Sequence, residues 1–229
     1  TGMLGLYGPV TFFALPLLAV ALTSGPLSRF TTRALRAAGT ARELLPQRRP
    51  AWRWGIVLFG FVGLLMLYFL ILTPENVQFD ARWKQMAIAE EYAVTGGIRR
   101  FGEGWTPGTR PHLASLLYTW AFLAPSAELF DQMLLSAHLE YVVFLVTTLV
   151  GIPAVVRRLV PGADPTTVWA ARFLFPGVLL YDSSLCGGSD HLGAMLGPPI
   201  FLVTLLTYER LNPRWAALLG LLMASAATV

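Results

Sequence analysis

Six stretches of this chain contain no Asp, Glu, Lys or Arg: Thr1–Ser28, Trp54–Pro74, Pro111–Ala127, Tyr141–Val156, Leu192–Tyr208 and Trp215–Val229. A helix needs ~20 predominantly apolar residues to cross the hydrocarbon core of a bilayer, and several of these runs approach or pass that length. Composition points the same way, since 55% of the 229 residues are hydrophobic and 13% are charged. An average soluble domain carries roughly 25% charged residues. The pattern predicts an all-α integral membrane protein, a multi-span helical bundle.

The remaining features narrow its class. Cys186 is the single cysteine, so there is no internal disulfide and no thiol spacing for a metal. A net charge of +4 and a pI near 9.6 would suit nucleic acid. Basic residues between apolar spans instead record membrane orientation, so the expected partner is the lipid bilayer and not nucleic acid. The chain opens without Met and without the charged n-region or cleavage site of a signal peptide. Its last apolar run is shorter than a span. Both termini therefore read as cut edges of a longer protein, and no internal repeat is visible.

Arginines set the topology. Between the first two apolar runs, Arg29, Arg33, Arg36, Arg42, Arg48, Arg49 and Arg53 stand against one acid, Glu43, which places this connector in the cytoplasm. Leu27, Phe30, Ala34 and Ala38 share a helical face there, a pattern that fits either an anionic inner leaflet or a solvated connector. The chain thus divides into residues 1–53, an N-terminal span plus basic connector, and a transmembrane core over residues 54–229. Trp54–Thr73 then runs outward, and Arg157-Arg158 and Arg210 with Arg214 lie inside if Gln132–Val156 runs inward, Thr166–Tyr181 outward and Leu192–Tyr208 inward. Glu75–Leu129 becomes a large extracytoplasmic loop, with Asp182–His191 a short loop on the same side.

Within the large loop, Phe79, Trp83, Met86, Ala87 and Val94 recur at helical spacing, and Gly96-Gly97 supply a stop. A second short helix begins at Pro111 and closes before Pro125, too short to span and suited to the membrane surface. A span entering an outer loop with an acid at its start, two juxtamembrane helices and a basic-Pro step before the second resembles the GT-C glycosyltransferases. The likeness is to the branch of protein O-mannosyltransferases and lipid A aminoarabinose transferases. Phe79-Asp80-Ala-Arg-Trp-Lys-Gln-Met-Ala through Thr95-Gly96-Gly97 looks like the start of that loop, and Arg110-Pro111 like the basic-Pro step. Gly187-Gly-Ser-Asp190-His191 falls where the family carries a second outer acid. The sequence departs from the pattern at Ala81, where a Glu often follows the first Asp.

The resemblance implies a glycosyltransferase of the plasma (inner) membrane, its site facing the extracytoplasmic side. The donor would be a polyprenyl-phosphate-linked sugar and the acceptor a hydroxyl of a lipid, glycan or protein, with inversion at the anomeric carbon. Asp80 is the candidate base, and as an Asp preceding a periodic run it equally suits a helix N-cap. Arg110 is the candidate for the lipid phosphate, since a guanidinium contacts phosphate oxygens in pairs, and the alternative is a headgroup anchor. Arg99, Arg100 and His112 are further candidates to bind substrate. Asp190 and His191 would position the donor, or share Mg²⁺ or Mn²⁺ with Asp80, hard oxygen ligands suiting those ions. A multi-span transporter or lipid flippase is the alternative, although such proteins place their polar sites nearer the midplane.

Glu140 and Arg172 fall inside spans, where an ionisable side chain costs ~2.5–3.5 kcal/mol or more. Each lies ~12–14 Å from the outer end of its own span at 1.5 Å per residue. The sequence predicts that they form a structural ion pair, with His138 the alternative polar neighbour.

Overall fold

Backbone that leaves water must satisfy its N–H and C=O groups within its own segment, so apolar runs of this length fold as helices. The computed structural model describes residues 2–44, 51–72, 81–99, 101, 113–171 and 187–229, and these are helical with no strand among them. In chain order the helices are α1 (Pro9–Leu44), α2 (Ala51–Ile71), α3 (Ala87–Thr95, entered through a π-helical segment, Ala81–Met86), α4 (Leu113–Phe122), α5 (Leu129–Val146), α6 (Ile152–Leu159), α7 (Pro165–Ala171), α8 (Asp190–Glu209) and α9 (Pro213–Ala227). Among the described residues, four stretches are long and apolar enough to cross a membrane: Pro9–Arg29, Ala51–Phe69, Leu129–Leu159 and Asp190–Glu209. No more than 28% of any of them is buried against protein. Leu58, Phe61, Leu65 and Phe69 of α2 are all exposed, a run of large apolar side chains that suits contact with lipid tails.

Three of these spans carry prolines, Pro16 and Pro26 in α1, Pro153 in the α5–α6 stretch and Pro198-Pro199 in α8, and the second of them adjusts its geometry. Pro153 has no N–H to give the carbonyl four residues back, and its ring would clash with that carbonyl in a regular α-helix. A π-helical segment, Thr147–Gly151, absorbs the mismatch and lets α5 continue into α6 as one rod. In α8, Pro198 and Pro199 sit against that segment: a Cβ on Gly151 would lie 2.9 Å from Pro198 Cγ. Gly151 is thus the residue that permits the π-helical segment and the proline pair of α8 to meet.

Side-chain contacts fix the relative directions. Tyr141 Oη donates to the Leu64 carbonyl at 2.8 Å, and Tyr68 Oη lies 3.5 Å from His138 Nε2. As one number rises the other falls, so α2 and α5 are antiparallel, around a core of Leu64, Leu67, Ile71, Ala137 and Phe144. By contrast α8 runs parallel to the α5–α6 rod. Glu140 meets His191 near one end, and Arg158 pairs with Glu209 at the other. Both intervals are 18 residues, about 27 Å at 1.5 Å per residue, which is close to the thickness of a hydrocarbon core.

The end opposite Arg158 is closed by the short helices. Tyr7 donates its backbone N–H to the Gly96 carbonyl at 3.0 Å, and Trp120 Nε1 donates to the Phe12 carbonyl at 2.9 Å. Phe12 and Trp120 stack with centroids 4.9 Å apart. The start of α1 is thereby pinned to α3 and α4, and its basic end lies away from them along a 36-residue helix. The possible surface helix around Leu27–Ala38 is part of this one continuous helix, not a separate element. From the far end of α8, α9 returns, and the Thr228 carbonyl accepts from Leu113 N–H at 2.9 Å.

Helix ends follow local chemistry. Gly96 caps α3 in the left-handed region at φ 74°, the stop expected of the Gly96-Gly97 pair. Asp164-Pro165 opens α7: Asp164 Oδ1 accepts from Thr166 N–H at 2.9 Å and from Thr167 N–H at 3.3 Å. Asn212-Pro213 does the same for α9, with Asn212 Oδ1 accepting from Arg214 N–H at 2.9 Å.

Candidate functional site

On α5 the buried residues Met133, Ser136, Ala137, Glu140 and Phe144 fall at intervals of three and four, forming one stripe that faces the bundle interior. Glu140 stands in the middle of that stripe with no exposed surface. Its Oε2 accepts from Gly187 N–H at 2.6 Å, and its Oε1 lies 3.3 Å from His191 Nδ1. His191 is 3% exposed and packs edge-on against Phe144, ring centroids 5.5 Å apart. The imidazole therefore faces inward, beneath the surface of the turn. His138, weighed as a neighbour of Glu140, instead contacts Tyr68 and the Leu134 carbonyl. Arg172 lies outside the described residues.

Gly187–Ser189 is a tight turn leading into α8, which opens with Asp190 and His191. Gly187 has φ 100°, a conformation open to glycine and strained for other residues. A Cβ there would overlap Met86 Cε and would come 3.4 Å from Ala81 Cβ. The first-loop helix thus rests directly on this turn, and only a hydrogen atom fits between them. Tyr118 of α4, fully buried, donates its hydroxyl to the Gly188 carbonyl at 2.5 Å. Asp190, the first residue of α8, is exposed. A carboxylate in the first turn of a helix is favoured by the orphan N–H groups and the macrodipole.

Beside the turn an apolar cleft of about 590 Å³ opens between the π-helical entry to α3, α4 and α5. Met86, Phe122, Leu129 and Met133 line it, and Arg82 and Glu90 supply its charges. Arg82 Nη1 donates to Met133 Sδ at 2.7 Å, a weak acceptor for a guanidinium. At the outer margin, burial pushes the Tyr92 phenol above its ordinary range and the neighbouring Tyr7 adds to the effect; burial raises Tyr7 likewise.

Among the residues singled out in the sequence, the structure brings together Glu140, Asp190 and His191. Arg99 lies at the end of α3, exposed and paired with Glu91, apart from the turn. Asp80, Arg100, Arg110 and His112 lie outside the described residues, as do Cys186 and Asp182. Among the described residues no three His, Cys, Asp or Glu side chains converge to hold a metal ion. Tyr118 and Arg82 were not singled out from the sequence, and Gly187 only as the start of the motif that ends in Asp190-His191. The Gly187-Gly188 pair beside an acid was the available signal for the turn, whereas nothing in the spacing of Tyr118 distinguishes it from a core aromatic. Comparison with protein-family models, characterised proteins and solved structures finds no match for this chain.

Proposed function

We propose that this protein is a GT-C-like membrane glycosyltransferase. It moves a sugar from a polyprenyl-phosphate-linked donor to the hydroxyl of a lipid, glycan or protein acceptor on the extracytoplasmic face. The observation that carries the reading is the contact of Ala81 and Met86 with Gly187. In sequence Ala81 follows Asp80 and Gly187 stands three residues before Asp190, and the Ala81–Met86 segment meets the turn leading into α8 at Gly187. The apolar cleft beside them suits an isoprenoid chain, with Arg82 at hand for a phosphate. Arg157, Arg158, Arg210 and Arg214 gather at the opposite end, the arrangement expected of a cytoplasmic face.

In this mechanism Asp80 accepts the proton of the acceptor hydroxyl as its oxygen attacks the anomeric carbon. The bond from that carbon to the phosphate oxygen breaks, the lipid phosphate leaves with the electron pair, and configuration inverts. General-base assistance contributes ~10²–10⁴-fold. Membranes containing the protein, supplied with radiolabelled polyprenyl-phosphate sugars, should transfer label to an endogenous acceptor. Asp80→Asn should lower the rate by about two orders of magnitude or more. Full activity in that variant would exclude the base role, and absence of transfer by the wild type with every sugar would defeat the reading.

A carrier or flippase is the second reading. It is favoured by the meeting of the π-helical segment Thr147–Gly151 with Pro198, since transporters build their sites on interrupted helices. Movement of labelled polyprenyl phosphate across proteoliposomes, without sugar transfer, would favour it.

A further inference from the structure

Asp190 stands between two residues that face the same buried carboxylate. Glu140 Oε2 accepts from Gly187 N–H at 2.6 Å, three residues before Asp190, and Oε1 lies 3.3 Å from Nδ1 of His191, one residue after it. Tyr118 holds the intervening Gly188 carbonyl at 2.5 Å. Glu140 and Tyr118 are fully buried and belong to different helices, α5 and α4, while Asp190 is exposed. The Gly187–Ser189 turn and the first residues of α8 are thus held from beneath by two hydrogen bonds and one carboxylate–imidazole approach, and Asp190 is left on the outside. We propose that Glu140 is a positioning residue: its carboxylate clamps Gly187–His191 onto the bundle and so presents Asp190 toward the Ala81–Met86 segment.

The chemistry of the anchor fits that task better than a general need for stability. A carboxylate has two accepting oxygens; here Oε2 accepts from the Gly187 N–H, and Oε1 lies within ion-pair distance of His191 Nδ1, four residues further along the chain. An amide keeps one acceptor and turns a donor toward the other point, and an alanine keeps none. Glycine at 187 completes the device, because φ 100° aims its N–H at Glu140 and the missing Cβ lets Met86 close over the turn. The clamp is independent of the reaction carried out at Asp190, so it stands or falls apart from the transferase reading.

Hydrogen–deuterium exchange of the purified protein in lipid nanodiscs tests it. A hydrogen bond to a charged group shifts a local opening equilibrium by about tenfold or more. In Glu140→Ala the amides of Gly187–His191 should therefore exchange about tenfold faster, while peptides from α2, α9 and the rest of α8 keep their wild-type protection. Glu140→Gln should fall between that variant and the wild type. If Glu140→Ala yields no folded protein, Glu140→Gln and Tyr118→Phe, which cut the tethers singly, should each accelerate exchange in the turn alone. Wild-type exchange of the turn in the folded variants would overturn the proposal. Acceleration spread evenly over all helices would overturn it as well, since that is the mark of a purely structural residue.

Discussion

A carboxylate with no exposed surface in a lipid-facing bundle persists only where its surroundings supply partners, because an unpaired buried charge costs several kcal/mol. That much about Glu140 is legible in the sequence: an acid inside an apolar run, spaced with Met133, Ala137 and Phe144 on the interior face. The identity of its partners is not legible. Counting residues from the outer ends of two spans set Glu140 level with Arg172, but it could not show that α8 begins level with Glu140. That start brings His191 and a backbone N–H within reach. A backbone donor leaves no trace in a list of side chains. The glycine presenting it can be tested by substitution. Gly187→Ala forces a side chain into the left-handed region, at ~1–2 kcal/mol, and also drives Cβ into Met86. The expected outcome is a melting temperature lowered by several degrees in detergent. An unchanged melting temperature would mean that the turn is not packed as described.

Helices were readable wherever charge vanished, and their ends wherever a capping side chain met a proline or glycine. The expected spans Trp54–Thr73, Gln132–Val156 and Leu192–Tyr208 correspond to Ala51–Ile71, Leu129–Leu159 and Asp190–Glu209. What the apolar pattern does not encode is departure from α geometry, since a π-helical segment contains the same residue types as the helix around it. Pro153 was the available signal there, as Asp164-Pro165 and Asn212-Pro213 were for two helix starts. The outward span expected over Thr166–Tyr181 is described only through α7, and its remainder lies outside the described residues. The cap of α7 also carries an acid dependence. The hydrogen bond from the Thr167 hydroxyl above all, with those from the Thr166 and Thr167 N–H groups, holds Asp164 below the usual carboxylate range, against an opposing effect of desolvation. A depressed folded-state pKa means that the cap stabilises fully above the unfolded-state value and is lost as pH falls through the folded-state one. Wild type should therefore melt above Asp164→Ala at neutral pH. That margin should shrink as pH drops through the ordinary carboxylate range and vanish below the lowered pKa, as followed by thermal melts from pH 7 downward. A margin that held constant into strong acid would contradict the cap.

For the assembled bundle, the topology inferred from the arginines makes a demand that no single helix makes: all the basic ends must gather on one face. The helix directions agree. The start of α1 is pinned to α3 and α4, α2 is antiparallel to α5, and α8 runs parallel to the α5–α6 rod with Arg158 meeting Glu209 at their shared end. Consequently Arg157, Arg158, Arg210 and Arg214 lie about 27 Å from the Glu140–His191 level, roughly one hydrocarbon thickness away. On the proposed reading, the positive-inside rule expects this basic end in the cytoplasm and Asp190, with the cleft beside Arg82 and Glu90, on the outer side. Single cysteines in a Cys186→Ser background decide it. On intact cells a membrane-impermeant maleimide should label Glu90→Cys and Asp190→Cys, and should leave Arg158→Cys and Arg210→Cys unlabelled until the membrane is opened. The reverse pattern would turn the protein over and move the candidate site to the cytoplasm, where it would meet nucleotide-linked sugars instead of an extracytoplasmic acceptor. Labelling of both ends from one side would mean that these helices do not span at all.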